Sequence, residues 1–156
     1  MGFIGWIITV PAVLIGLLIL IIGFYEGRKA FWDYKVTQMC EKDGGVTIIE
    51  QINISEKDYK KLIGLHSGLA LPNIHALNRD YPYYYETHNT RIREANPEVV
   101  QGKTIIKRRF DQKILGYSIH YWRRGGDIPT GIAHDSSFIC PQHTSLMSKV
   151  FKINGG

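Results

Sequence analysis

The chain has 156 residues, 44% of them hydrophobic, with 19 Lys+Arg against 14 Asp+Glu and a formal net charge of +5. That length suits one domain rather than several, and two cysteines limit the chain to a single internal bridge. It carries no internal repeat, no low-complexity run, and no G-x-S-x-G, Walker or dinucleotide fingerprint.

The apolar residues are unevenly placed. Residues 3 to 24, "FIGWIITVPAVLIGLLILIIGF", hold no charge. As a helix this stretch spans about 33 Å, which matches a bilayer core of ~30 Å. Fifteen of its residues are Leu, Ile, Val or Phe, and together they favour insertion by about 5 to 9 kcal/mol before Gly, Thr and Pro are counted against them. Trp6 and Tyr25 bracket the run where aromatic rings favour the interface. Pro11 is tolerable in such a helix when the freed carbonyl finds another partner. The stretch lacks a basic n-region, is long for a signal-peptide core and has no A-x-A-like site after it. Trp6 breaks the myristoylation pattern. Residues 1–25 are therefore expected to be an uncleaved transmembrane anchor that contacts the lipid bilayer through residues 3–24.

Helical spacing continues through "YEGRKAFWDYKVTQMCEKDGG", so residues 26–44 read as a juxtamembrane stalk helix ended by Gly44 and Gly45, with Cys40 in its last turn. Residues 45–156 then form an extracytoplasmic domain. "VTIIEQINI", 46 to 54, is β-branched and predicts one strand. Ser55 followed by Asp58 suits the cap of a short helix ending near Gly64, and 65 to 80 reads as mixed loop. "YPYYYETHNTRIRE" is strand-prone, with Pro82 favouring an edge. "VVQGKTIIKRRF" and "KILGYSIHYWRR" predict a hairpin joined at 111 to 113. Its second arm puts Leu115, Tyr117, Ile119 and Tyr121 on one face and Ile114, Ser118, His120 and Trp122 on the other. The Gly- and Pro-rich stretch 123 to 142 reads as loop, followed by a short helix near 144 to 149 and an extended "VFKI". The expected fold class is α+β: a transmembrane helix running into a stalk, then a small, mostly antiparallel sheet with one or two short helices.

Chemistry-bearing residues gather near the C-terminus. His134, Asp135, Cys140 and His143 are suitable zinc ligands, but H-x5-C-x2-H is not a standard zinc spacing and nothing completes it. Cys140 has histidines nearby in sequence yet no nucleophile signature around it. "RRGGD", 123 to 127, suits either an anion nest or a plain turn after a strand. Lys103, Lys107, Arg108, Arg109, Lys113, Arg123 and Arg124 mark a basic hairpin with Tyr117, Tyr121 and Trp122 among them. Such a surface suits anionic lipid, an envelope polymer or single-stranded nucleic acid, with a solvated sheet face as the plainest reading. "YPYYY" suits a stacking platform or an ordinary edge strand.

Two signals oppose each other on orientation. Arg28, Lys29 and Lys35 after the span favour a cytoplasmic domain. Cys40 and Cys140, at opposite ends of the domain, suit one bridge in an oxidising compartment, or else two unrelated buried thiols. The bridge is given the greater weight.

The pairing of "CEKDGG" after a stalk helix with "YWRRGGDIPTGIAHDSSFICP" near the end resembles a family of small bacterial envelope proteins, some single-span and others lipoproteins. The resemblance covers the two cysteine-bearing segments. It implies an envelope setting, supports the Cys40–Cys140 disulfide and supplies no catalytic residue. The expectation is thus a single-pass protein of the bacterial inner membrane with a periplasmic domain. It would be a non-enzymatic binding or accessory module without cofactor, acting on an envelope protein or an anionic envelope ligand. Arg123, Arg124, Asp127, His134 and Asp135 form its candidate ligand-binding loop. The alternatives are a metal-binding or enzymatic domain built on residues 123–143, and a cytoplasm-facing basic domain that binds nucleic acid or anionic lipid.

Overall fold

The structure is a computed structural model and describes residues 3–63, 81–129, 134–141 and 145–153. The expected loop at 65–80, Gly64 and His143 lie outside the described residues. The first element, α1 (Phe3–Asp43), is one unbroken helix of 41 residues, with Pro11 inside it. At ~1.5 Å per residue it is about 60 Å long. Its apolar part, with a mean hydropathy of 2.1 over its best window and no burial, is long and apolar enough to cross a membrane. From Trp32 onward the same helix turns one face inward. Trp32, Val36, Met39 and Cys40 recur at helical spacing and pack on the sheet.

Glycine ends α1 for a steric reason. The Gly44 N–H donates to the Cys40 carbonyl at 2.7 Å. A Cβ at Gly44 would lie 2.6 Å from that oxygen and 2.9 Å from Cys40 Sγ, which no larger residue tolerates.

The domain is α+β. Its strands are β1 (Gly45–Ile48), β2 (Ile52–Ile54), β3 (Tyr83–Arg93), β4 (Glu98–Arg108), β5 (Ile114–Arg124), β6 (Ser137–Cys140) and β7 (Phe151–Ile153). The short helices are α2 (Glu56–Ile63) and α3 (Leu146–Val150). The antiparallel sheet runs β1-β5-β4-β3. The hairpin β4–β5 forms as expected, with Glu98 opposite Arg124 and Gly102 opposite His120. β4 fills one side of β5, so β1 (Ile48↔Gly116) and β6 (Cys140↔Tyr121) share the other, end to end. β3 is an outer strand that starts just after Pro82, where the missing N–H costs no ladder bond. Ser55 caps α2: its Oγ accepts from the Asp58 N–H at 3.1 Å and donates to the Asp58 carboxylate at 2.6 Å.

Three expectations are corrected. The single strand expected at 46–54 is two strands in two sheets, because β2 pairs in parallel with β7 instead (Ile52↔Phe151). The break has a visible cause. The N–H groups of Ile49 and Glu50 both donate to the Leu115 carbonyl at 2.9 Å, and the Glu50 carboxylate reaches Arg108 at 2.9 Å and Lys113 at 2.6 Å. The register also shifts between Ile106 and Lys107. Leu115 therefore joins the core under α3, away from Ile119 and Tyr121, while Ile114 is left partly exposed. Finally, β6 lies inside the stretch expected to be loop.

The sheet carries a separate apolar cluster on each face. One joins Ile106, Leu115, Leu146, Met147, Val150 and Phe151. The other joins Val36, Cys40, Val99 and Tyr121, with Phe138 and Cys140 against them, so the end of α1 is part of the domain's interior.

Candidate functional site

The five residues of the expected ligand loop divide into two that face inward and three that face out. Arg123, next to last in β5, lies on the side covered by α1, and only 4% of its side chain is exposed. Its Nε donates to Asp33 Oδ1 at 2.5 Å and its Nη2 to Asp33 Oδ2 at 3.4 Å. Its Nη1 donates to the Gly125 carbonyl and, at 3.1 Å, to Ser136 Oγ. A guanidinium this fully engaged holds the loop to the helix and has little left for a ligand.

Asp127 is engaged in the same way. Its Oδ2 accepts from the Ser136 N–H at 2.6 Å and its Oδ1 from Lys29 Nζ at 3.1 Å. The Ser136 amide bond, with help from the Ser136 side chain and Lys29, holds the carboxyl down to about 2. Lys29 is pushed up in turn, chiefly by Glu26 at 2.6 Å and then by Asp127.

The glycines of "RRGGD" form a turn. Gly125 and Gly126 have φ of +83° and +97°, a region that favours glycine. The Gly125 N–H donates to the Ser136 carbonyl at 2.8 Å, and the Gly126 N–H to Asn96 Oδ1 at 2.6 Å. Both amides that an anion nest would offer are therefore taken.

Cys40 and Cys140 are joined as a disulfide with a Cα–Cα distance of 5.9 Å. The bridge removes the thiolate that a zinc site or a nucleophile at Cys140 needs. His134 is exposed, and His143 lies outside the described residues.

The basic hairpin is largely neutralised. Lys107 meets Glu86 at 2.7 Å, Arg108 meets both Asp111 and Glu50, and Lys113 meets Glu50. The Glu86 carboxyl is lowered, first by Lys107. Lys103 and Arg109 lie over the rings of Tyr117 and Tyr84 at 4.8 and 5.1 Å. Charges paired this way make a poor electrostatic track for nucleic acid. Nor is "YPYYY" a free platform: Tyr84 is 3% exposed, and Tyr81, Tyr83 and Tyr85 pack on the core.

Among the described residues, a shallow polar groove of about 390 Å³ is open to solvent. Arg124 and Asp135 line it together with Arg91, Glu94, Asn96 and Glu98, which the sequence alone did not single out. Arg91 Nε lies 3.2 Å from Glu98, and Arg124 Nε lies 3.6 Å from Asp135. The signal for these residues is one of register. Glu98 sits opposite Arg124 in the β4–β5 ladder, and Arg91 pairs with Val100 two positions along β4. Once that pairing is drawn, the charged ends of three strands converge. The chain matches no protein-family model, no curated protein and no solved structure.

Proposed function

We propose that the chain is a membrane-anchored binding or accessory module whose domain lies outside the cytoplasm, in a bacterial periplasm. One observation carries this reading: a single helix is apolar and exposed over residues 10–24 and built into the domain core over its last turns. A soluble protein seldom leaves such a surface to water, whereas a bilayer covers it. The rigid continuation lets the anchor fix the height of everything attached to it. The Cys40–Cys140 bridge supports the oxidising side of the membrane, since cytosolic thiols are kept reduced. Arg28 and Lys29 weigh against that orientation.

The reading favours binding over catalysis on chemical grounds. The most buried polar residues of the loop, Arg123 and Asp127, are committed to holding it in place, and Cys140 is oxidised. The exposed groove has charges of both signs and suits a polar ligand.

A reporter active only outside the cytoplasm, fused after residue 156 of the full chain, tests the orientation. Activity, together with retention in the membrane pellet at alkaline pH, is the expected result. Release from the pellet would remove the anchor, and activity only with a cytoplasmic reporter would reverse the orientation.

A further inference from the structure

We infer that Arg28, seated on the rings of Phe24 and Tyr25, is a binding site for the phosphate of an anionic phospholipid, such as a phosphatidylglycerol. The inference rests on the anchoring proposed above and gives that anchor a headgroup contact of its own.

Height along the helix places the group. Phe24 is the last residue of the uncharged run, and Arg28 stands four positions further along α1. Four helical residues rise about 6 Å. The headgroup layer of one leaflet is about 5–7 Å thick, half the difference between a whole bilayer and its hydrocarbon core. The side chain leans back toward the span, as long side chains on a helix do. Its Cζ lies 5.7 Å from the centroid of the Phe24 ring and 5.0 Å from that of Tyr25. The guanidinium therefore sits above the end of the apolar run and within the headgroup layer, where the phosphates are. The two rings meet edge to face at 84°, and the guanidinium contacts both.

Hydrogen bonding leaves the group open. Arg28 Nε is buried without an acceptor, and among the described residues no oxygen engages its Nη groups. The other two cations of α1 nearest the span are engaged, Lys29 by Glu26 and Asp127 at 2.6 and 3.1 Å and Lys35 by Gln38 at 3.4 Å. Aromatic faces attract the charge of a guanidinium but give its in-plane N–H groups no oxygen. A phosphate supplies two oxygens to the outer edge of the fork, the bidentate geometry that arginine suits.

Charge selects among headgroups. The acidic residues of α1 on either side of Arg28, Glu26 and Asp33, are held by Lys29 and Arg123. The ammonium of a zwitterionic headgroup would meet the positive charge of Arg28 with no unengaged carboxylate of the neighbouring turns beside it. An anionic headgroup brings no such charge. Low intrinsic affinity is sufficient, because the anchor holds Arg28 among headgroups at high effective concentration.

The test is native mass spectrometry of the full chain released from detergent micelles that contain equal amounts of phosphatidylglycerol and phosphatidylethanolamine. Retention of one phosphatidylglycerol, about tenfold in preference to phosphatidylethanolamine, is expected. Arg28→Gln should lose the preference. Tyr25→Leu, which removes one ring and keeps the charge, should weaken it. Arg91→Gln, which removes an exposed arginine paired with Glu98, should leave it unchanged. Inorganic phosphate at the concentration of the lipid should not displace the adduct. Equal retention of both lipids, a preference that survives Arg28→Gln or is equally lost in Arg91→Gln, or displacement by inorganic phosphate would each overturn the assignment. Persistence of the Cys40–Cys140 linked peptide confirms the fold of each variant. Alkaline extraction of membranes that hold the wild-type chain reports separately on the anchor. Release sinks the anchoring, whereas retention without a lipid preference sinks only the Arg28 site.

Discussion

Where α1 meets the loops, the domain is held by a disulfide, by Arg123 on Asp33 and by Lys29 on Asp127. On the other face, under α3, Ile106, Leu115, Val150 and Phe151 are at most 1% exposed and form a purely apolar cluster. The first region must join a helix to loops distant in sequence, and it does so with directed, chemically specific bonds. The second closes the sheet by burying side chains, a force without direction that rewards volume. The two regions should therefore fail under different insults.

Reducing the bridge, or replacing both cysteines with alanine, should have the largest effect. The residues are 100 apart, and a loop of that size gives about 4.7 kcal/mol in the chain-entropy model, a figure measured values often fall below. Thermal unfolding with and without reductant measures the loss, and the double variant should be insensitive to reductant. Phe151→Ala comes next, at about 3–5 kcal/mol from lost burial and the cavity left behind. It should lower the melting temperature equally with and without reductant. A strongly reductant-dependent effect would show that the two clusters are one.

Arg123→Met should cost about 1–3 kcal/mol, less than a fully buried pair, because 30% of the Asp33 side chain is exposed. Adding Asp33→Asn should recover part of that loss, and strict additivity in this double-mutant cycle would contradict the pairing.

Acid should produce the smallest change. The folded Asp127 carboxyl is held down to about 2, below its ordinary 3.8, first by the Ser136 amide. Between those two values the unfolded chain binds more protons than the folded one, so stability falls as pH drops from about 4 to 2. Asp127→Asn should flatten the melting temperature over that window while lowering it at neutral pH. An unchanged acid slope would show that Asp127 contributes nothing there.

The same contrast explains what could be read from the residues alone. The apolar helix, its glycine stop, the β4–β5 hairpin and the Ser55 cap are set by neighbours within a few positions, and each was legible. The break at Ile49–Glu50 was not, because β-branched residues on both sides of it read as one strand and hide a turn made by Arg108, Lys113 and the Leu115 carbonyl. Nor was β6, four residues whose place depends on β5 and on the bridge. "RRGGD" looked like a binding loop because arginine and aspartate there are usually solvated. The partners that bury Arg123 and engage Asp127 lie 90 and 98 positions away on α1. The groove was half visible: Arg124 and Asp135 could be named, whereas Arg91, Glu94 and Glu98 join them only once strand register is known.

Non-reducing peptide mass spectrometry of the full chain, recovered from native membranes after thiols are blocked at harvest, is the most direct measurement. A linked peptide joining Cys40 to Cys140 in the membrane pellet, with neither residue alkylated, is the predicted result. Two alkylated cysteines, or recovery in the soluble fraction, would contradict a bridged domain anchored outside the cytoplasm.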